Sequence, residues 1–442
     1  MTRNFAKQIL LIAAFFLIAT ASQAQYQWNS DSAYRAGAEN TGRIWGYVFG
    51  DFYYKSKADS LNRGGNNQYT GIPKNRNAFA FRRLYLGYDF NFNKSFSSEL
   101  LLAAEDNFPA GNPPSTATTG ASGDLTSNGK ETFFIKLANV RWKNIFKGTD
   151  LVVGEQVTPS FAALTEKVWN YRSIERTISD ILRTPSYDMG AGLNGKYAKG
   201  NFGYNLLVAN GSSDKPASTS FKWFYGDVWA MFLDKHLIVD VYADYQRLNW
   251  QPFYHHDRQM LKGFVAYSSS PITVGVEGFV NNIRADTKAT KIGGGSDTIA
   301  TKANGVAFFV HGDIVTNKLR FFARVDLYNP NSKVDNSKYT AYSALSSPNG
   351  YMTPGYKMTF NSSTGAAATA TSTGDPTSKN TFFTAGLDFM PFRDIHFEPN
   401  VWYEHYASQL TSTGKQADAD VVWRMTFFFV FGKHYSNTYT QL

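Results

Sequence analysis

The sequence predicts an all-β fold, a 16-stranded antiparallel transmembrane β-barrel whose third long loop folds inward. Three observations predict it: an export signal at the N-terminus, segments of alternating apolarity, and connections that alternate between short and long. Of the 442 residues, 18% are charged and 16% are aromatic, a composition that argues against wholesale disorder. Beyond residue 24 no apolar run reaches the ~18 residues that a membrane-spanning helix needs.

Residues 1–24 have the features of a secretory signal peptide. Arg3 and Lys7 form a basic start, an apolar stretch too short to cross a bilayer follows, and Ser22-Gln23-Ala24 supplies small residues before the cleavage point. This order is typical of an exported protein. An N-terminal membrane anchor is the alternative.

The domain organisation follows from this N-terminus. Residues 25–41 are polar and precede the first strand, so we interpret them as a periplasmic lead-in. No interior linker divides the rest, which predicts one domain, the outer-membrane β-barrel at 42–442.

The chain after this lead-in is a succession of strands with one apolar and one polar face, the pattern of a strand between lipid and water. Sixteen strands are predicted near 42–55, 78–92, 96–106, 131–142, 150–157, 187–197, 201–210, 219–232, 237–247, 259–268, 271–281, 303–314, 319–328, 379–389, 394–406 and 419–431. The long connections between them are 56–77, 107–130, 158–186, 211–218, 248–258, 282–302, 329–378 and 407–418. Such alternation is typical of barrels with short periplasmic turns and longer external loops.

Lipid explains why the sheet should close. Lipid offers no hydrogen bonds to backbone groups, so a sheet inside it has to be a cylinder with apolar outward residues. Aromatic residues near strand ends are predicted to form girdles at the two interfaces: Tyr53, Tyr54, Trp142, Trp169, Tyr204, Trp229, Trp402 and Tyr406. The alternative is that these aromatic residues fill a core.

The third long loop, 158–186, differs from the others because apolar residues recur in it near helical spacing. An apolar, partly helical loop is costly to expose, so we expect it to fold back into the barrel and narrow the channel. Arg172 and Arg176 are four residues apart and share a face of a helical turn. Packing of Ile174, Ile178 and Ile181 against the wall would leave both arginines toward the pore.

Candidate pore residues follow from this arrangement. The predicted constriction consists of Lys167, Arg172, Glu175, Arg176 and Arg183, with Glu175 anchoring the loop; the predicted pore lining consists of Arg83, Arg320, Arg324 and Arg424. Predicted inward acids outnumber inward basic residues, so an anion preference has to come from the loop, where the field is focused. The alternative is that Arg172 and Arg176 are structural, paired with Glu175 or Asp180.

Three stretches resemble the phosphate-selective porin O and P-like family of outer-membrane porins. They are Phe81-Arg82-Arg83 with Tyr85 and Gly87, the run from Val153 to Phe161, and Arg172-Ser173-Ile174-Glu175-Arg176 followed by Asp188 to Gly195. The resemblance covers about residues 78–200. It implies a 16-stranded barrel with a pore-constricting third loop, often trimeric, in the outer membrane of a Gram-negative bacterium.

No catalytic, cofactor or metal site is predicted. The chain has no Cys, and the adjacent pair His255-His256 lacks further ligands at metal-site spacing. No G-x-S-x-G motif is present. Lys and Arg are scattered despite the net charge of +9, which argues against nucleic acid as a partner.

The leading hypothesis is therefore a passive porin, surrounded by outer-membrane lipid, for small hydrophilic solutes that include phosphate-like anions. The alternative is a plugged barrel that serves as an assembly or binding platform. An outer-membrane enzyme is the third hypothesis.

Overall fold

The computed structural model describes most of the predicted barrel. The described residues are 37–59, 74–105, 133–159, 164–182, 185–212, 217, 220–251, 254–335, 337–344, 358–360, 367–370, 379–410 and 416–432. The predicted signal peptide, 1–24, and most of the predicted lead-in, 25–41, lie outside these residues.

The strands are β1 (Thr41–Lys57), β2 (Asn77–Asn91), β3 (Phe96–Glu105), β4 (Phe134–Phe146), β5 (Thr149–Val157), β6 (Tyr187–Tyr197), β7 (Phe202–Ala209), β8 (Trp223–Phe232), β9 (Leu237–Gln251), β10 (Tyr254–Ser269), β11 (Ile272–Lys291), β12 (Ser296–Val315), β13 (Leu319–Asn329), β14 (Tyr339–Ala344), β15 (Met358–Phe360), β16 (Ala367–Ala370), β17 (Asn380–Phe392), β18 (Ile395–Leu410) and β19 (Gln416–Phe431). Two five-residue helices, α1 (Thr165–Trp169) and α2 (Ile178–Leu182), lie between β5 and β6. A 3₁₀ turn spans Ala198–Gly200.

Sixteen of these strands form a closed antiparallel barrel, as predicted. The short strands β14, β15 and β16 lie within the connection from β13 to β17, and β13 pairs directly with β17. The cylinder closes where β1 pairs with β19, from Gly46 opposite Phe431 to Lys57 opposite Val421. No helix among the described residues has both the length and the apolar composition to cross a membrane.

Side chains alternate between the two faces of each strand, as the pleat requires. In β10, Leu261, Val265 and Tyr267 are exposed on the outer face, whereas Lys262 and Phe264 are buried on the inner face. The outer face is therefore apolar over the middle of the strands, while the inner face mixes charged and aromatic residues.

The girdle prediction is wrong for most of the aromatic residues it named. Tyr54 and Trp142 are exposed, 39% and 46% respectively, and Tyr204 is half-buried. The others are buried on the inner face or in the third loop: Tyr53, Trp169, Trp229, Trp402 and Tyr406. The reason is that aromatic residues also pack inside the barrel: Trp229 packs in the cluster that contains the third loop, and Tyr53 and Trp402 pack with Phe382 and Val422.

Three predicted long loops, 248–258, 282–302 and 407–418, are mostly strand. Only residues 252 and 253 separate β9 from β10, and Ile292–Gly295 joins β11 to β12. β14 adds to the far end of β11, from Thr287 opposite Ala344 to Lys291 opposite Tyr339. We call residues 284–302 with 330–344 the outer sheet. It escaped prediction because its polar strands continue the hydrogen-bonded ladder without an apolar face.

Candidate functional site

We call the segment 158–186 the inner loop, and its described residues lie inside the barrel. Both α1 and α2 fall within it, as the helical spacing predicted. Over residues 164–180 only Lys167 is exposed and only Arg176 is half-buried; every other residue is buried. Arg183 and the side chain of Ile181 lie outside the described part of the chain.

One side of the inner loop packs on an aromatic wall. Trp169 lies 5.3 Å from Phe309 between ring centroids, and Tyr171 lies 4.5 Å from Phe322. Ile174 belongs to the same apolar cluster, and Ile178 joins a second one on β7–β13. The prediction that Ile174 and Ile178 face the wall is confirmed.

The opposite side of the loop is held by Arg82. Phe49 pairs with Arg83 and Gly50 with Phe81, so Arg82 is the extra residue of a β-bulge. The bulge turns both arginines inward, each 3% exposed. Arg82 Nη1 donates to the Ile174 carbonyl at 2.9 Å and Nη2 donates to that of Ser173.

Arg82 also joins two barrel strands. Its Nε lies 2.6 Å from Asp51 Oδ2 on β1, and Arg424 on β19 donates to the same carboxylate. The Ser173 hydroxyl donates to Glu398 Oε1 at 3.0 Å, which adds a contact to β18. This group of contacts fixes the turn at 173–174 to β2 and β18.

Further contacts spread the attachment around the barrel. His311 Nε2 lies 2.8 Å from the Val168 carbonyl, Arg324 donates to the Arg176 carbonyl, and the Ser179 hydroxyl donates to Glu277. These wall residues are on β12, β13 and β11. The loop therefore crosses the interior and is bonded on both sides.

Three of the five predicted constriction residues, Arg172, Glu175 and Arg176, take part in ion pairs within the loop. Arg172 Nη1 lies 3.0 Å from Glu166 Oε1 and 3.6 Å from Asp180 Oδ2, and Arg172 is 7% exposed. Arg176 Nε lies 3.7 Å from both Glu175 and Asp180, and its side chain is 17% exposed. These distances match the structural alternative for Arg172, since a buried guanidinium between two carboxylates is already neutralised.

The predicted pore-lining arginines all face inward, each beside a carboxylate. Arg83 lies 3.4 Å from Glu105, Arg320 lies 3.0 Å from Asp313, Arg324 lies 2.5 Å from Asp326, and Arg424 binds Asp51. The inner wall is therefore a network of paired charges.

Several inward basic residues escaped the sequence prediction. Lys136 binds Glu105, Arg258 lies 3.6 Å from Asp244, and Lys262 lies 3.5 Å from Asp240. The predicted β10 began at 259, which left Arg258 outside it, although the alternation with Phe264 could have placed Lys262. The bulge at Arg82 has no such signal, because an inserted residue shifts the alternation that defines the faces.

A polar cavity of about 510 Å³ lies beside the inner loop, toward the end of the barrel with the short turns. Lys167 and Leu164 of the loop line it together with wall residues of both charges, among them Glu99, Arg141, Asp150 and Lys196. Lys167 is thus a predicted constriction residue that lines this cavity.

No protein-family model matches this sequence, and no curated protein is similar to it. Among solved structures, the fold is similar to the outer membrane channel DcaP of Acinetobacter baumannii, with a TM-score of 0.54, 11% identity, and coverage of 92% of this chain and 100% of that one. It is also similar to an anion-selective porin from Comamonas acidovorans, with a TM-score of 0.50, 12% identity, and coverage of 89% and 100%. At these identities the likeness shows a common fold, that of outer-membrane porins.

Proposed function

We propose that this protein is an outer-membrane porin, a passive diffusion channel for small hydrophilic solutes that the inner loop narrows. One observation carries the proposal: a closed barrel with an apolar outer face encloses a charged interior, and a loop bonded to both sides crosses that interior. An apolar outer face suits lipid, and a polar lumen suits water and solutes. No catalytic residue or cofactor is part of this proposal.

We place any anion preference of the channel, including one for phosphate-like solutes, on Lys167 and Arg176. Lys167 faces the cavity and Arg176 keeps part of its side chain in solvent. Arg172 is buried between two carboxylates, so its charge is locally cancelled. A charge in contact with water at a narrow point acts on passing ions more strongly than a buried one, because low-dielectric walls focus its field; this favours Arg176, which is paired but 17% exposed, over Arg172.

Reconstitution in planar lipid bilayers tests the channel itself. We expect stable single-channel steps from protein that shows heat-modifiable mobility, the sign of a folded barrel. A folded barrel that gives no single-channel conductance steps would favour the alternative function, a plugged barrel that serves as a binding platform. The observation that supports this alternative is the deep burial of the inner loop.

Selectivity is tested with the zero-current potential in a salt gradient. Replacing Lys167 and Arg176 together with Ala should move this potential toward cation preference. Lys318→Ala is the matched control, because Lys318 is exposed in a short turn away from the loop. Equal shifts in both proteins would contradict the assignment.

The same proposal includes export and assembly. Residues 1–24 are removed as a signal peptide, 25–41 lie in the periplasm, and 42–442 form the barrel of a homotrimer. N-terminal sequencing of protein from outer membranes should begin at Gln25. Native mass spectrometry in detergent should give three chains; a monomer mass would remove the trimer from the proposal.

A further inference from the structure

Three potential metal ligands meet where β17 and β18 face the inner loop. Asp388 lies on β17, and His396 and Glu398 lie on β18. Phe389 pairs with Phe397, so Asp388 and Glu398 are neighbours across the ladder, and His396 shares their face two residues away. The ligand atoms of the three residues all lie within 4.8 Å of one another.

These three side chains are buried with unmet bonding capacity. Asp388, His396 and Glu398 are 1%, 4% and 1% exposed. His396 Nδ1 lies 2.8 Å from Asp388 Oδ1, but His396 Nε2 and Glu398 Oε2 have no hydrogen-bond partner. Two adjacent carboxylates repel each other, and within the described residues neither has a salt bridge to Lys or Arg. Burial of such a pair in its ionised form is costly unless a proton or a cation neutralises the charge.

The nearby arginines are occupied elsewhere. Arg320 pairs in register with Asp388, but its Nε lies 3.0 Å from Asp313 and its Nη2 lies 3.1 Å from His311 Nδ1. Arg82 binds Asp51. Neither arginine therefore forms a salt bridge with Asp388 or Glu398.

We propose that Asp388, His396 and Glu398 bind a divalent transition-metal ion such as Zn²⁺. One imidazole nitrogen and two carboxylate oxygens are a donor set that Zn²⁺ and its neighbours accept. Atoms that share one Zn²⁺ each lie about 2 Å from it, so they lie within ~4 Å of one another. The observed cluster needs only a small side-chain adjustment to reach this spacing.

The inner loop supplies the outer contacts of this site. The Tyr171 hydroxyl lies 3.4 Å from Asp388 Oδ2, and the Ser173 hydroxyl donates to Glu398 Oε1 at 3.0 Å. Partners of this kind orient ligating carboxylates. A bound ion therefore fixes the strands and, through Tyr171 and Ser173, the turn of the loop.

Zinc binding by the refolded, tag-free, EDTA-treated barrel tests the proposal. Titration calorimetry should show about one Zn²⁺ per chain, and His396→Ala and Glu398→Gln should each weaken binding about tenfold or more. Heat-modifiable mobility shows whether each variant folds. If His396→Ala does not fold, Glu398→Gln still tests the site, because it keeps the shape of the side chain.

His256→Ala is the matched control, because His256 is another buried histidine beside a carboxylate, 3.1 Å from Asp286. It should bind Zn²⁺ like the wild type. A wild-type barrel that binds no Zn²⁺ overturns the proposal, and so does a Glu398→Gln barrel with wild-type affinity. A barrel that binds Zn²⁺ but forms no channel would support this metal site and contradict the proposed porin function.

Discussion

The inner loop and the outer sheet both extend from the long-loop end of the barrel, yet their polar contacts differ in surroundings. In the inner loop, Arg172 and Glu166 form a buried pair whose side chains are 7% and 9% exposed. In the outer sheet, Lys291 and Asp297 form a pair at 2.6 Å with side chains 47% and 37% exposed. Exposed ion pairs contribute little to stability, whereas the loss of one partner of a buried pair leaves the other charge buried without a partner or water.

The comparison teaches that position relative to the barrel wall, more than bond length, decides what a contact does. The outer sheet extends a ladder that the barrel strands already set. The inner loop instead makes hydrogen bonds to five strands, β2, β11, β12, β13 and β18, so its attachment depends on strands that are far apart in the sequence. Substitutions matched between the two regions measure this difference.

Replacing Arg82 with Ala should have the largest effect. It leaves two loop carbonyls without their donor and Asp51 with one guanidinium fewer, at a cost of about 3–5 kcal/mol. Urea unfolding in lipid vesicles measures it. Lys291→Ala is the control, because Lys291 and its partner Asp297 are both exposed, 47% and 37% respectively. Equal losses in both variants would refute the distinction between the regions.

Trp169→Ala should loosen the loop without opening the barrel. Trp169 is fully buried between Phe309 and Tyr171, and truncation of such a residue costs about 3 kcal/mol. Hydrogen exchange should rise at loop amides while strand amides stay protected. Trp142→Ala on the outer face should leave loop exchange unchanged. Unchanged loop exchange in Trp169→Ala would show that the aromatic wall does not hold the loop.

Two glycines with similar backbone angles offer a smaller contrast. Gly154 on β5 has φ +124 and Gly294 in the outer sheet has φ +106. A methyl group at Gly154 would overlap the Ala138 carbonyl oxygen, whereas nothing lies within 4 Å at Gly294. Gly154→Ala should therefore cost about 2–3 kcal/mol and Gly294→Ala about 1 kcal/mol, measured by urea unfolding. The reverse order would show that strain in the outer sheet governs stability.

The smallest effect is expected at Asp335 in the outer sheet. Hydrogen bonds from Ser337 and Lys338 hold the pKa of Asp335 below its usual value. Because the pKa is lower in the folded state than in the unfolded state, the carboxylate stabilises the turn at pH values above the unfolded-state pKa. This contribution disappears as the pH falls through the folded-state pKa. Asp335→Asn should thus speed exchange of the Ser337 amide at neutral pH, and both proteins should converge in acid. A difference that persists in acid would point to a cause other than the carboxylate charge.

The barrel strands could be predicted from the sequence because lipid and lumen impose an alternation that survives in each strand. The inner loop was also predictable, since Trp169, Ile174 and Ile178 make no sense in solvent. The outer sheet was not, because its strands are polar on both faces and show no apolar period, even where Thr287 and Thr301 are buried and hydrogen-bond to each other across the ladder at 2.6 Å.

The electrostatics of the site were the least predictable part. Side-chain alternation predicts which residues face inward, and it placed Arg83, Arg320, Arg324 and Arg424 correctly. It does not predict which inward carboxylate each arginine binds, because that depends on how the strands pair. The inward turn of Arg82 depends on one inserted residue, and the metal-ligand cluster depends on the register of β17 with β18.

The binding of Asp51 by two arginines also has a consequence for assembly. Asp51 belongs to the first strand, Arg82 to the second and Arg424 to the last. When the first and last strands pair, Arg424 therefore reaches Asp51. Asp51 also binds Arg82, the arginine that donates to the carbonyls of Ser173 and Ile174. Closure of the barrel therefore adds a second guanidinium to the carboxylate that positions the loop-binding arginine, and a chain without its last strand loses that second guanidinium.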